Sequence, residues 1–284
     1  MPPSNPLVSV VVTCYNHEDY IQECLLSILK QTYTNIELIV VDDGSKDNSA
    51  KVIQSLQDDY TFTYKYQKNQ GVCAALNHGV TQAKGEYICC CDSDDKFALN
   101  KIEKQLNFML ENPQYKVSYT NKIFFNNEGE YRPENSGKRR SGWLFEPLIM
   151  SEFSIPFSSH MLHKEVYQKI GLYDLETKLQ DWDMFLRIAK EYEIGFLNED
   201  LLYYRIHDSN LHSNVDLMLN AKYQHLEKWK DDPIYPKAKQ KLDFHFFNDF
   251  AKIDKKRALS MLPTVIPYFD KRIFKGIRRL LLKW

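Results

Sequence analysis

The chain opens with four short strand-like runs, residues 7–13, 36–41, 62–67 and 87–91, of which the first, second and fourth are largely apolar, separated by segments whose apolar residues recur at helical spacing. That alternation constrains the fold more than any other feature. Runs that are apolar throughout and rich in Val and Ile suit strands buried on both faces. Such strands joined by helices make an α/β protein with a parallel central sheet covered by helices. Ile21, Leu25, Ile28 and Leu29 share one helical face, with Glu18 and Asp19 in the first turn, where the helix dipole favours carboxylates. Further helices are expected over 49–56, 72–83 and 99–110, the second ended by Gly85 in a left-handed conformation.

On parallel sheets of this kind ligands bind at the carboxyl ends of the strands. Here those ends are polar or acidic: Thr13 and Tyr15 after the first run, Asp42 and Asp43 after the second, Asp92, Asp94 and Asp95 after the fourth. Three strand ends converge on one crevice. Neither a Gly-x-Gly-x-x-Gly turn nor a Gly-Lys-Ser/Thr loop is present, so a phosphate group would need another partner. A pair spaced Asp92-x-Asp94 can hold a hard divalent cation that bridges to diphosphate oxygens, whereas bare carboxylates would repel a diphosphate. A strand-end Asp43 can accept from an imide N–H or from ribose hydroxyls. Taken singly, Asp42-Asp43-Gly44-Ser45 and the acidic Asp92–Asp95 stretch are equally ordinary turn and capping chemistry.

Past the fourth strand the pattern loosens. Residues 126–142 read as a polar surface loop carrying the run Lys138-Arg139-Arg140, and Trp143, Phe145, Phe153 and Phe157 read as core. Helices follow over 164–170 and 182–192, two short strands over 194–197 and 201–206, and a helix over 215–229. With 43% apolar and 26% charged residues in 284, the chain has the make-up of a folded protein and not of a disordered one. A net charge of −1 speaks against nucleic acid as a partner. Six cysteines, three of them consecutive, fit neither zinc spacing nor a disulfide framework and read as buried thiols of a reducing cytoplasm. No signal core and no run of about 20 apolar residues is seen, so a cytoplasmic protein is expected.

The near-neutral total conceals a basic tail, with ten Lys or Arg against two acids over 252–284. Within 270–284, Ile273, Phe274, Ile277, Leu280, Leu281 and Trp284 recur at helical spacing among six basic residues. Such a helix either lies on an anionic membrane, here the inner face of the cytoplasmic membrane, or packs on protein.

Four segments in order, Val8 to Asn16, Glu37 to Ser45, Gly85 to Asp95 and Gln180-Asp-Trp-Asp183, resemble the family 2 glycosyltransferases of the GT-A fold over about the first 210 residues. The resemblance implies a Rossmann-like, mostly parallel sheet with a helical C-terminal appendage. It also implies an inverting, divalent-metal-dependent transfer from a nucleotide sugar, a UDP-sugar foremost, to a hydroxyl of a glycan or lipid-linked glycan in envelope polysaccharide synthesis. By the same resemblance Thr13, Tyr15 and Asp43 line the nucleoside pocket, Asp92 contacts ribose, and Asp94 takes Mn²⁺ or Mg²⁺. Asp181 becomes the catalytic base, and in Tyr204-Arg205-Ile206-His207 the imidazole completes the metal shell or touches the diphosphate, while Arg205 is a phosphate contact. Trp182 and Asp95 stand as acceptor-side candidates, and Gln180 replaces the Glu more usual in the family. The expected division is a GT-A domain over 1–213, nucleotide-binding to about 118 and acceptor-binding from 119, then a helical region over 214–284. Two rivals remain: a non-catalytic module that binds nucleotide or glycan, and a sugar nucleotidyltransferase. The second normally has a glycine-rich basic loop where this chain has Thr13-Cys-Tyr-Asn-His17.

Overall fold

The computed structural model describes residues 5–126, 128–131, 139–177, 179–207, 215–268 and 271–281. Lys138 of the basic run, the expected boundary at Ser213, and Asp270 and Trp284 of the tail lie outside the described residues. The chain divides into two compact units, Met1–Phe145 with Phe153–Asn210, and Glu146–Glu152 with Leu211–Trp284.

The elements run β1 (Val8–Cys14), α1 (Ile21–Leu29), β2 (Ile36–Asp42), α2 (Ser49–Leu56), β3 (Thr63–Tyr66), α3 (Val72–Gln82), β4 (Tyr87–Asp92), β5 (Lys96–Phe97) and α4 (Lys101–Glu111). They continue through β6 (Val117–Asn126), β7 (Gly129–Tyr131), α5 (Phe145–Ile149), β8 (Met161–His163), α6 (Glu165–Ile170), α7 (Gln180–Glu191) and β9 (Ile194–Arg205). One sheet orders them β3-β2-β1-β4-β8-β6-β9-β5, with β7 on the flank of β6. Strands β3, β2, β1, β4, β6 and β9 run one way, and β8, β5 and β7 run the other. The mostly parallel α/β sheet expected from the apolar runs is therefore the observed one.

All seven residues of β1 are buried, which is why that run carries no alternation: helices cover both faces. The registers then fix the site, because Thr13 sits opposite Val41 on one side and Asp92 on the other, and Cys14 opposite Asp42. The polar strand ends are neighbours by backbone pairing alone.

Several local expectations change. Trp143, read as core, is 61% exposed, β7 lies within the expected 126–142 loop, and Glu18 and Asp19 precede α1, whose first turn holds Glu23 instead. The two strands expected over 194–197 and 201–206 are the single strand β9, whose pairing with β6 slips between Thr120 and Lys122. Asn198 and Glu199 bulge out there, and the Asn198 side chain accepts from Asn121 Nδ2 at 2.7 Å. The polar stretch that looked like a break is a bulge. Gly85 is not left-handed: α3 ends at Gln82 with Ala83 extended, and Gly85 is needed because a Cβ there would lie 2.6 Å from Ser9 N and 2.8 Å from Leu7 O. Helix α7 begins at Gln180, so Asp181 belongs to its first turn.

Gly79 is a second close approach, where α3 lies against the sheet and an added Cβ would sit 2.3 Å from Val11 Cγ1. Alanine would improve helix propensity by about 1 kcal/mol, but overpacking a fixed β-branched neighbour costs more. Gly79→Ala is expected to destabilise the chain by roughly 1–2 kcal/mol, read as a lower denaturant midpoint at unchanged slope.

The six cysteines are all free and buried. Burial pushes Cys14 and Cys90 up to about 12, far from any reactive thiolate. A buried Lys101 is held by Gln105 Oε1 at 2.8 Å and by the Phe97 ring, while Gln105 Nε2 reaches the Ser118 and Ser159 carbonyls.

The second unit contains α8 (Val215–Glu227), α9 (Tyr235–Ile253), α10 (Lys255–Val265) and α11 (Lys271–Leu281). Its core is built on Phe244, Phe247 and Phe250 of α9, each 2% exposed or less. Helix α11 lies against α9 through Ile273, Gly276 and Leu280; a Cβ at Gly276 would meet the Phe247 ring at 2.1 Å. The opposite face leaves Phe274 72% and Leu281 69% exposed beside Lys275 and Arg278. Among the described residues no helix is long and apolar enough to cross a membrane.

Candidate active site

The loops after β1 and β2 are zipped together by side chains that the strand ends supply. Asn16 N donates to Ser45 Oγ, Lys46 N to Asn16 Oδ1, and His17 N to Ser49 Oγ. Asn16 takes a left-handed backbone (φ 55°), a conformation that Asn tolerates better than most residues. Thr13 is 8% exposed beside Asp92, and Tyr15 is half-exposed at the mouth of the crevice.

The two acids of the second strand end divide their work. Asp42 is fully buried and accepts from Ser45 N and the Tyr64 hydroxyl, which makes it turn chemistry. Asp43, 3% exposed, accepts from Gln67 Nε2, Gln70 N and Gly71 N at 2.8–2.9 Å, and so holds the loop that leads into α3. A carboxylate has about four acceptor positions, so one remains for a nucleoside donor.

The third acidic end is the electrostatic centre. Asp95 is 2% exposed; its oxygens accept from Arg205 N at 3.1 Å and from Ser158 Oγ at 2.6 Å. Ser158 Oγ in turn accepts from Asp92 N, so one hydroxyl ties both acids to the turn before β8. Burial, with Asp94 alongside, pushes the Asp95 carboxyl up to about 8. Burial and the charges of Asp94, Asp95 and Asp181 push Asp92 well above the usual carboxylate range. Carboxylates that raise one another in this way gain from any cation placed among them.

Strand β9 delivers the partner. His207, just past its end, sets Nε2 2.9 Å from Asp94 Oδ2 and lies against Tyr20 with ring centroids 5.0 Å apart and planes tilted by 31°. Asp94 and His207 are therefore in contact across more than a hundred residues of chain. Arg205 is placed differently from its expected phosphate role. Its guanidinium bonds to the Asp94 carbonyl at 2.9 Å and to Glu23, and lies over the Tyr20 and Phe125 rings. It braces the acidic loop against α1.

Asp181 opens α7 and accepts from Trp182 N at 2.7 Å. It stands close enough to the acidic end to raise Asp92 and to support the charge of Lys122. Trp182 is partly exposed beside it, whereas Asp95, expected on the acceptor side, is buried with both oxygens engaged inside the chain. Asp183 is buried and paired with Arg187 Nε at 2.9 Å, and that guanidinium holds the Ile170 and Leu172 carbonyls. The second acid of Gln180-Asp-Trp-Asp183 is thus a brace.

Two residues escaped the sequence reading. Lys122, on β6, packs its ammonium 3.7 Å from the centre of the Tyr204 ring; burial brings it down to about 8 while Asp95 and Asp181 pull it back up. A lone Lys in a strand gives no signal of this before the pairing with β9 is known. His17 donates to or accepts from Ser93 Oγ through Nδ1 at 2.7 Å and meets His207 edge-on at 6.1 Å between ring centroids. One ring nitrogen each of His17 and His207 and one oxygen of Asp94 lie within 4.8 Å of one another, as do oxygens of Asp92, Asp94 and Asp95. Mixed imidazole and carboxylate donors at that spacing suit a first-row divalent ion.

The model of the family described as "Glycosyl transferase family 2" matches residues 9–171, more than half of the chain. The chain belongs to glycosyltransferase family 2. A relative named as a putative teichuronic acid biosynthesis glycosyltransferase, TuaG of Bacillus subtilis, is 30% identical over 74% of this chain and 82% of its own. Among solved structures, S. aureus TarS 1-349 with UDP-GlcNAc superposes at TM-score 0.65 and 19% identity, covering 96% of this chain and 81% of that one. The mannosyltransferase PcManGT of Pyrobaculum calidifontis, with GDP-Man and Mn²⁺, superposes at TM-score 0.66 and 17% identity, covering all of this chain and 89% of that one. At those identities the two structures establish the GT-A type of fold, as the motifs implied. Asp181, Arg205 and His207 lie beyond the matched segment.

Proposed function

We propose that this family 2 glycosyltransferase is an inverting, divalent-metal-dependent enzyme that moves a sugar from a UDP-sugar to a hydroxyl of a glycan or lipid-linked glycan. The observation that carries the proposal is the meeting of Asp94 and His207 at 2.9 Å beside two carboxylates of raised pKa, at the carboxyl ends of the parallel strands. UDP-GlcNAc in TarS and Mn²⁺ with GDP-Man in PcManGT support a nucleotide sugar and a metal on this fold. TuaG, named for teichuronic acid biosynthesis, supports an envelope polysaccharide as the product.

In this mechanism Tyr15 packs on the uracil, Thr13 lines the nucleoside pocket, and Asp43 uses its remaining acceptor position on the base. Asp92 accepts from ribose hydroxyls, and Asp94 with His207 would hold the metal. The metal, when bound, offsets the negative charge that gathers on the departing diphosphate. Mn²⁺ fits better than Mg²⁺, because the donor set includes imidazole nitrogen and Mg²⁺ prefers oxygen ligands throughout. Asp181 takes the proton of the acceptor hydroxyl as that oxygen attacks the anomeric carbon. Trp182 offers the acceptor ring a stacking surface, and Lys122 sets a positive charge near the base. Arg205 and Asp95 act as supports, keeping the Asp94 loop and the end of β9 in register.

The direct test is a panel of UDP- and GDP-sugars with Mn²⁺, Mg²⁺ or EDTA, scored by thermal stabilisation and nucleotide release. Metal-dependent stabilisation by a UDP-sugar, with UDP released on adding acceptor, is the expected result. Equal stabilisation in EDTA, or none by any nucleotide sugar, would overturn the reading.

The exposed face of α11 supports recruitment to a membrane, where a lipid-linked acceptor would reside. Phe274 and Leu281 can enter the headgroup region while Lys275 and Arg278 meet anionic lipid. The chain is expected to sediment with phosphatidylglycerol-containing vesicles and not with phosphatidylcholine alone. Phe274→Ser with Leu281→Ser should abolish that binding without lowering the thermal midpoint, since neither side chain is packed.

A further inference from the structure

We infer that His17 is a ligand of the same metal, so that the ion is held by two imidazoles, from His17 and His207, and one carboxylate, from Asp94. The inference rests on the proposed metal site and goes beyond it, because the strand-end acids and the late His complete that site without any residue from the β1–α1 loop. Three observations carry it. The donor atoms of all three residues lie within 4.8 Å of one another, and the Asp94–His207 pair is at 2.9 Å. Two donors at right angles on a first-row ion, each about 2.1 Å away, are about 3.0 Å apart, so the pair already has ligand spacing; the third donor needs only a small approach.

The second observation is the Ser93 hydroxyl, 2.7 Å from His17 Nδ1. Metal-bound histidines characteristically engage their other ring nitrogen with a fixed polar group, which sets tautomer and ring plane. Here the fixing group is the residue immediately before Asp94, so one short loop both carries a ligand and orients another. Nδ1 held by Ser93 leaves Nε2 to the ion. The third is the packing around His17, which is partly buried. His17 N donates to Ser49 Oγ, and the ring meets Tyr20 at 5.7 Å and His207 at 6.1 Å between centroids, both edge-on. The polar and charged groups around the cluster are Asp94, Ser93 and His207, with Asp47 and Arg205 acting at longer range. Freezing a polar ring costs conformational entropy, and ligation gives that ordering a use.

The chemical consequence is that the metal would be anchored to the loop that also carries Tyr15. Nucleoside binding and metal binding would then be coupled through the backbone of Asn16, the single residue between Tyr15 and His17.

Electron spin echo envelope modulation of bound Mn²⁺ in the full chain with UDP counts imidazole nitrogens directly, independently of turnover. Two coupled imidazoles are expected in the wild type, one in His17→Gln and one in His207→Gln. Mn²⁺ affinity by titration should fall about ten- to hundred-fold in His17→Gln, and by a smaller factor in Ser93→Ala. A wild-type spectrum with a single imidazole that persists in His17→Gln and vanishes in His207→Gln would overturn this inference and leave the proposed function standing. No Mn²⁺ bound by the wild type would overturn both. The wild-type nitrogen count decides the matter even if His17→Gln fails to fold.

Discussion

Asp181→Asn is expected to lower the rate of sugar transfer by about 10²- to 10⁴-fold while leaving metal-dependent donor binding within about twofold of wild type. The range is the usual contribution of a positioned proton acceptor, and it corresponds to about 3–5 kcal/mol of transition-state stabilisation. Asparagine has nearly the same volume and keeps a carbonyl oxygen that can still accept from Trp182 N, so the first turn of α7 should survive. What it lacks is basicity. The effect should appear in the rate constant at saturating donor, because the carboxylate is needed only when the acceptor oxygen loses its proton. Stopped or continuous assays of UDP release in the presence of acceptor, alongside calorimetric donor affinity, separate the two quantities. Transfer at the wild-type rate would show that another group is the base. Loss of donor affinity together with rate would show that Asp181 acts on the nucleotide side.

The sheet could be read from the chain because its determinants are local and repeated. A run such as Val8–Cys14 is buried on both faces, so it needs no alternation, and Gly79 or Gly85 needs only to be small where two backbones approach. The strand-end acids were legible for the same reason, since parallel pairing places Thr13 beside Asp92 and Cys14 beside Asp42 whatever the side chains do. The functions of individual acids were less legible. Asp43 and Asp95 look alike in sequence, yet one faces the Gln67–Gly71 loop and the other is closed in by Ser158 and Arg205. Each assignment depends on a hydrogen-bond donor contributed by a distant segment. Lys122 and His17 show the same limit more sharply. Their roles come from β6 meeting β9 and from the Ser93 loop meeting the loop between β1 and α1, neither of which has a periodic signature. The bulge at Asn198–Glu199 split β9 into two apparent strands because polarity marks both a turn and a bulge.

Asp94→Ala should remove metal-dependent donor binding altogether, and with it all transfer. Three features make this the most severe substitution. Asp94 is the one residue common to both groups of possible metal-binding donors among the described residues, the imidazole set and the all-carboxylate set. Its carboxylate also holds His207, so truncation releases a second donor along with the first. Its neighbours cannot replace it. Asp95 has both oxygens engaged by Arg205 N and Ser158, and Asp92 has its carboxyl pushed well above the usual range, so each resists presenting a charged oxygen without the ion already in place. The fold should tolerate the change, since the Arg205 guanidinium grips the carbonyl of Asp94 and not its side chain. Removing one of several crowded carboxylates also relieves mutual repulsion, so the metal-free variant is expected to melt no lower than the metal-free wild type, while the stabilisation given by Mn²⁺ with UDP disappears. Differential scanning fluorimetry with and without Mn²⁺ and UDP reads both effects in one experiment. An Asp94→Ala chain that Mn²⁺ and UDP still stabilise as strongly as wild type would place the ion elsewhere and remove the charge argument on which the proposed transfer depends.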